Sequence, residues 1–279
     1  SEIEVLKGIA DDLFRDGELN YAKKLYNVYV SKISKKDISN EELKNLAESF
    51  LKENKTDLAV SLYDVYLEKL TKDQQHKKNI IKEMLEVAEK FIHTGWQEGS
   101  DPFYAEKLYD KLESLYKNEA LDAISLYKRA YNLERIKEYE SCFNAYLLLA
   151  NYPDYQDKDR IYFRLGIFSA YVFGKIEQAS DFFSKVVNKF KQSKDYLNSL
   201  YNLGLLNHWQ GNLEKAKEFY NIILESTKEI KEKPEIVSLA EYRIKELEES
   251  KEIEYNLRMF LDVALKKEKK HDHVKLELF

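Results

Sequence analysis

The stretch LYNLGLLNHWQGNLEKAKEFY, residues 200–220, decides the fold. Leu203 and Gly204 sit in a helical apolar pattern and Gly211 interrupts it. A second helical pattern then carries Ala216 and, four residues on, Tyr220. Working outward, the same small-then-aromatic pair recurs as Ala22/Tyr26, Ala59/Tyr63, Ala105/Tyr109, Cys142/Tyr146 and Ala179/Phe183. Successive pairs stand 37, 46, 37, 37 and 37 residues apart. A fixed period of that size marks one supersecondary unit, copied and stacked against its neighbours.

Composition agrees. Of 279 residues, 44% are hydrophobic and 34% charged, too apolar for a chain disordered throughout. Glycine (8) and proline (3) are scarce, which favours long helices with short connections over an all-β fold. Twenty-one tyrosines and 14 phenylalanines must fill a core or line a binding surface. The net charge of −5 is spread along the chain without a basic block, so no nucleic-acid partner is expected. No run approaches the ~18 apolar residues of a membrane span. The opening SEIEVLKGIADDLF reads as an amphipathic helix, not a signal-peptide core. The single cysteine, Cys142, fills a small-residue slot and reads as a buried hydrophobe.

Each unit reads as helix A, a tight turn and helix B. In the first, Leu6, Ile9, Ala10 and Leu13 precede a turn in which Gly17 suits a helix C-cap, and Ala22, Leu25, Tyr26, Tyr29 and Val30 follow. Helix A carries its own small slot at Ala10, Ala47, Ala88, Ala130, Gly166 and Gly204. Helices approach closely only where one presents Ala or Gly and a facing bulky side chain fills the space beside it.

Leu203, Gly204, Gly211, Ala216 and Tyr220, and likewise Ile9, Ala10, Gly17, Ala22 and Tyr26, resemble the tetratricopeptide repeat at its own spacing. The resemblance covers roughly residues 3–228. It departs from the family in a period of 37, against about 34, and in the missing helix-ending prolines. It implies an all-α, right-handed superhelical solenoid of antiparallel helix pairs. The expected repeats are 1–37, 38–74, 75–118, 119–155, 156–192 and 193–232, with a capping helix pair at 233–268 and a charged tail at 269–279. The longer third unit carries an insertion in HTGWQEGSDP, where Trp96 is expected to pack the loop onto its own helices. In the tail, the alternation of Val274, Leu276 and Leu278 suits fraying ends better than a strand added to a partner.

Nothing points to catalysis: P-loop, GxSxG, HExxH and paired CxxC motifs are all missing. No cofactor or metal is expected. His271 and His273 share a charged tail without fixed geometry, a poor metal site.

The resemblance places a binding groove along the helix A residues between core positions. Carried onto this chain, these are Tyr127 and Tyr131 in the fourth unit and Phe163, Ile167 and Tyr171 in the fifth. In the sixth they are Asn198, Tyr201, Asn202, Leu205, His208 and Trp209. Such a face suits a protein or peptide segment, with aromatic anchors and amide groups for its backbone. The other readings are that these aromatics thicken helix packing, or that the C-terminal pair covers them. The family's carboxylate clamp is disfavoured, because Lys7 and Lys44 fill its lysine slot while Asp11 and Glu48 stand where asparagine is required.

The reading is therefore a non-enzymatic interaction scaffold. YLLLANYPDY and the 37-residue spacing are similar to bacterial envelope-assembly arrays, which favours the periplasm or cell envelope over the cytoplasm, with a removed lipid anchor as one form of it. The alternatives are an accessory subunit gripping through its convex face and a cytoplasmic peptide-sensing regulator.

Overall fold

The turn chemistry read from the sequence closes helix pairs in the same way along the chain. In the computed structural model, Gly17 and Gly211 both have φ +83°, the left-handed region glycine enters without a Cβ penalty. The N–H three residues past each helix then bonds back to a carbonyl five residues earlier: Glu18 to Leu13 at 2.9 Å and Asn212 to Asn207 at 2.8 Å. Lys55 does the same to Phe50 at 2.9 Å, after Asn54 at φ 58°. The structure describes residues 2–35, 38–72, 76–92, 100–117, 121–249 and 253–266. Trp96 and the tail with His271, His273, Val274, Leu276 and Leu278 lie outside them.

Among the described residues the protein is all α, with fourteen helices and no strand. Consecutive helices pack as pairs, an all-α solenoid of tetratricopeptide-like hairpins. The chain forms two compact units, residues 1–136 and 137–279. The division falls inside the expected fourth repeat.

The first unit holds α1 (Glu2–Arg15), α2 (Leu19–Ser34), α3 (Asn40–Lys52), α4 (Thr56–Lys72), α5 (Lys77–Phe91), α6 (Pro102–Tyr116) and α7 (Ala123–Arg135). Its hairpins are α1/α2, α3/α4 and α5/α6, with α2 stacked on α4 and α6 on α7. Helix starts are fixed locally. Ser39 and Glu42 form a reciprocal capping box on α3, and Asp101 accepts from the Tyr104 N–H at 3.0 Å ahead of Pro102. The small slots Ala10, Ala22, Ala47, Ala59, Ala88 and Ala105 are fully buried, and Tyr26, Tyr63 and Tyr109 fill the space beside them. Tyr26 meets Phe50 edge-on at 5.5 Å and Tyr63 meets Phe91 at 5.7 Å, so each helix B aromatic reaches into the following helix A.

Arg129 ties α7 to α6. It is buried, and it reaches Glu106 at 2.5 Å, Asp110 at 2.7 Å and Glu113 at 2.7 Å, three carboxylates on one face of α6. Burial raises the Glu106 carboxyl, although Arg129 opposes that shift.

The second unit holds α8 (Tyr139–Ala150), α9 (Lys158–Ile167), a π-helical turn (Phe168–Val172), α10 (Ile176–Lys189), α11 (Tyr196–Trp209), α12 (Leu213–Ser226), α13 (Glu235–Glu248) and α14 (Tyr255–Lys266). Its hairpins are α9/α10 and α11/α12, with α8 stacked on α9 and α10 on α11. Beyond them, α13 packs on α12 and α11, whereas α14 packs against the π turn. The π turn has a cause in the sequence. Gly166 and Ala179 stand 13 residues apart, where Ala10/Ala22, Ala47/Ala59, Ala130/Cys142 and Gly204/Ala216 stand 12 apart. The extra residue is absorbed as a wide turn. The closing bond of this hairpin accordingly spans six residues, Lys175 N–H to the Ser169 carbonyl at 2.7 Å.

Candidate functional site

The predicted face divides between the two units. In the first unit Tyr127 and Tyr131 lie half-buried one turn apart on α7. Tyr131 packs against the core of that unit, with the Arg135 guanidinium 4.9 Å over its ring. The lysines at the clamp positions are already matched by carboxylates of the chain. Lys7 meets Asp11 at 2.9 Å, and Lys44 meets Glu83 at 2.6 Å and Glu86 at 3.4 Å. Glu48 accepts from Lys90 at 3.0 Å. Asp11 also receives the Tyr26 hydroxyl and the Lys55 ammonium, the latter at 3.1 Å. Burial pushes the Asp11 carboxyl up, but the bonds from Lys7, Tyr26 and Lys55 outweigh it and hold it at about 2. These cations would have to break internal pairs before gripping a peptide carboxylate.

In the second unit, α9, the π turn and α11 bring together Phe163, Ile167, Tyr171 and Trp209 around buried Ala170, Leu203 and Leu206. The one-residue insertion places Tyr171 within the π turn, and its hydroxyl donates to Asn202 Oδ1 at 2.5 Å. Asn202 in turn donates to the Asn198 carbonyl at 2.8 Å, which orients its amide. Burial, with Tyr201 nearby, pushes the Tyr171 phenol up, so it stays a neutral donor.

The two C-terminal helices cover much of this face. Leu257, Leu261 and Leu265 of α14 join the same apolar cluster. Tyr171 meets Phe260 with ring centres 5.8 Å apart. The Trp209 indole N–H donates to Asp262 Oδ1 at 2.9 Å. Tyr201 is turned towards α13, where its hydroxyl accepts from Arg243 Nε at 3.3 Å. Arg243 and Glu246 are both buried and paired at 2.5 Å, and Glu246 accepts the Glu254 N–H at 3.0 Å.

Leu205 and His208 are buried. The His208 ring lies 6.2 Å from Tyr220, and burial lowers its pKa, which favours neutral imidazole. Asn198, Tyr201, Asn202 and Trp209 retain partial exposure.

The residues that sequence reasoning did not assign to this face are Phe260, Leu261, Asp262 and Leu265. The spacing of Leu257, Leu261 and Leu265 was a visible signal of an amphipathic helix. Its destination was not.

Among the described residues no cluster of His, Cys, Asp and Glu could hold a metal ion, and no helix is long and apolar enough to cross a membrane. Comparison with curated proteins finds no match. Residues 198–226, from early α11 to the end of α12, match the family model of the tetratricopeptide repeat. That match, with the paired helices, supports a tetratricopeptide-repeat protein, one of a class of repeats that mediate protein–protein contacts.

Proposed function

We propose that the protein is a non-enzymatic interaction scaffold that binds a protein or peptide segment on the aromatic face of α9, the π turn and α11. One observation carries this reading. That face holds a helix of the chain itself, α14, through apolar side chains, an aromatic pair and a hydrogen bond from Trp209. These are the contacts with which such a surface grips a segment of another protein, aromatic anchors supplying most of the buried area. Tyr127 and Tyr131 are proposed as a separate contact for the partner, on α7 of the first unit.

The test is affinity capture from the source cell. Wild-type bait is compared with a bait carrying Tyr131→Ala, Tyr201→Ala and Trp209→Ala, and the captured protein is then titrated in pure form. Loss of binding in the triple variant supports the reading. Undiminished capture refutes it and points to the second reading, an accessory subunit held through its outer surface, where Leu148 is exposed on α8. The finer setting, cell-envelope assembly, rests on the sequence resemblance. Fractionation that finds the protein only in the cytosol would remove it.

A further inference from the structure

The face described above carries information about what it binds, and the inference rests on that binding reading. We propose that its ligand is an amphipathic helix with apolar side chains at i, i+4, i+7 and i+8 and a carboxylate at i+5, and that α14 is the internal competitor for this ligand. In α14 these positions are Leu257, Leu261, Ala264, Leu265 and Asp262.

Leu261, Ala264 and Leu265 are buried, and Leu257 packs half-buried in the same cluster. This stripe covers two turns of one helix face. The polar contact sets the register. The Trp209 N–H, a donor only, meets Asp262 at 2.9 Å in the middle of the stripe. A slip of one turn would bring Arg258 opposite the indole N–H, and a guanidinium cannot accept a hydrogen bond. A slip of one residue would set Leu261 or Val263 there and leave the donor unpaired in an apolar surface, which is unfavourable.

The π turn serves the same contact. A wide turn has poorer backbone geometry than an α-helix and persists where tertiary contacts offset the cost. Here it packs against α14, and its Tyr171 meets Phe260.

Two features make α14 a competitor and not a permanent cap. First, it is apolar on both sides. Tyr255, Met259 and Val263 are exposed on it, at 49–73% of their full accessible area. A helix fixed for good on one surface normally turns charged and polar groups to solvent. Second, its apolar stripe can leave the face without dismantling a hairpin: α9 pairs with α10, α11 with α12, and α13 packs on α12 independently of it. A ligand of the same chemistry binds only the fraction of molecules whose α14 is out, which lowers its apparent affinity by that fraction.

The experiment titrates a fluorescein-labelled synthetic peptide of residues 253–266 against the full chain by anisotropy. The proteins are wild type, Leu261→Asp, which puts a charge into the apolar stripe and expels α14, and Asp262→Ala, which removes the acceptor for Trp209. The expected result is binding at least tenfold tighter to Leu261→Asp than to wild type. Asp262→Ala should show a smaller gain, and adding Trp209→Ala and Tyr171→Ala should abolish binding. Hydrogen exchange checks that α11 and α12 stay protected while α14 loses protection. If Leu261→Asp unfolds the unit, Asp262→Ala, which keeps every apolar contact, still decides the matter. Equal peptide affinity in wild type and both variants overturns α14 as competitor and leaves the binding reading standing. No peptide binding to any variant, with α14 freed, overturns the helix chemistry; the capture experiment separately decides whether the face binds any other segment.

Discussion

Replacing Gly204 by alanine sets two opposed effects against each other, and the structure decides the sign. Within a helix, Gly→Ala gains about 1 kcal/mol from backbone entropy. Against that, a Cβ at Gly204 would stand 2.3 Å from Cε1 of Tyr220, 2.8 Å from Cδ1 and 2.9 Å from Cζ. Carbon atoms in contact prefer about 3.5–4.0 Å, so the ring must retreat by roughly 1 Å. Tyr220 is fully buried, and the rings of Tyr201 and His208 lie 5.8 and 6.2 Å from it. The ring has nowhere soft to go. Overpacking of this kind costs about 1–3 kcal/mol, and the short approach puts this site at the upper end. The net expectation is a loss of about 2 kcal/mol.

Gly8 is the internal control. It lies exposed in α1, where an added Cβ would meet nothing within 4 Å, so Gly8→Ala should stabilise by up to about 1 kcal/mol. Stacked repeats need not unfold in one step. The measurement is therefore native-state hydrogen exchange of α11–α12 amides for Gly204→Ala and of α1–α2 amides for Gly8→Ala, alongside urea unfolding. A Gly204→Ala protein as stable as wild type would refute the close-approach argument. The companion test is a cycle with Tyr220→Leu, in which the alanine should recover its helical gain once the ring is gone.

Arg129→Ala should destabilise the first unit by about 1–3 kcal/mol in denaturant titration, because it removes the buried partner of half-buried Glu106, while Asp110 and Glu113 stay open to solvent. Tyr63→Phe and Tyr109→Phe should be neutral or stabilising by up to about 1 kcal/mol, since both hydroxyls are buried without a hydrogen-bond partner among the described residues. Tyr26→Phe should destabilise in the same denaturant titration, because its hydroxyl donates to Asp11. Asp11 is held at about 2 against an ordinary 3.8, so its contribution is complete above pH ~4 and is lost as pH falls through ~2. Asp11→Asn should flatten that part of the stability–pH curve, and an unchanged curve would reject the assignment.

The repeat register was legible because it is local. A small residue and an aromatic one turn apart, with a turn residue ahead of them, mark the hairpins α1/α2, α3/α4, α5/α6, α9/α10 and α11/α12. The register even held where the residue type changed. Asn54 and Lys137 take the left-handed geometry of Gly17 and Gly211, at φ 58° and 64°. The ion pairs were legible only in part. Glu106, Asp110 and Glu113 read as one face of a helix, but their common partner comes from a different helix, and spacing along the chain does not encode that.

The candidate face was half legible for the same reason. Its helix A residues follow from the register, and the sequence marks the π turn as well, through the 13-residue step from Gly166 to Ala179. That step is hidden when the chain is measured by its helix B pairs, because Cys142 and Ala179 remain 37 apart while the small slots shift to 36 and then 38. The amphipathic stripe of α14 announces that it will be buried, but apolar burial is non-directional and does not name the surface. Direction comes from the polar contact in its middle. Trp209 has one donor, Asp262 can accept it, and Arg258 one turn away cannot. A sequence search for the proposed ligand therefore has a concrete form. It should seek a helix with apolar residues at i, i+4, i+7 and i+8 and an acidic residue at i+5.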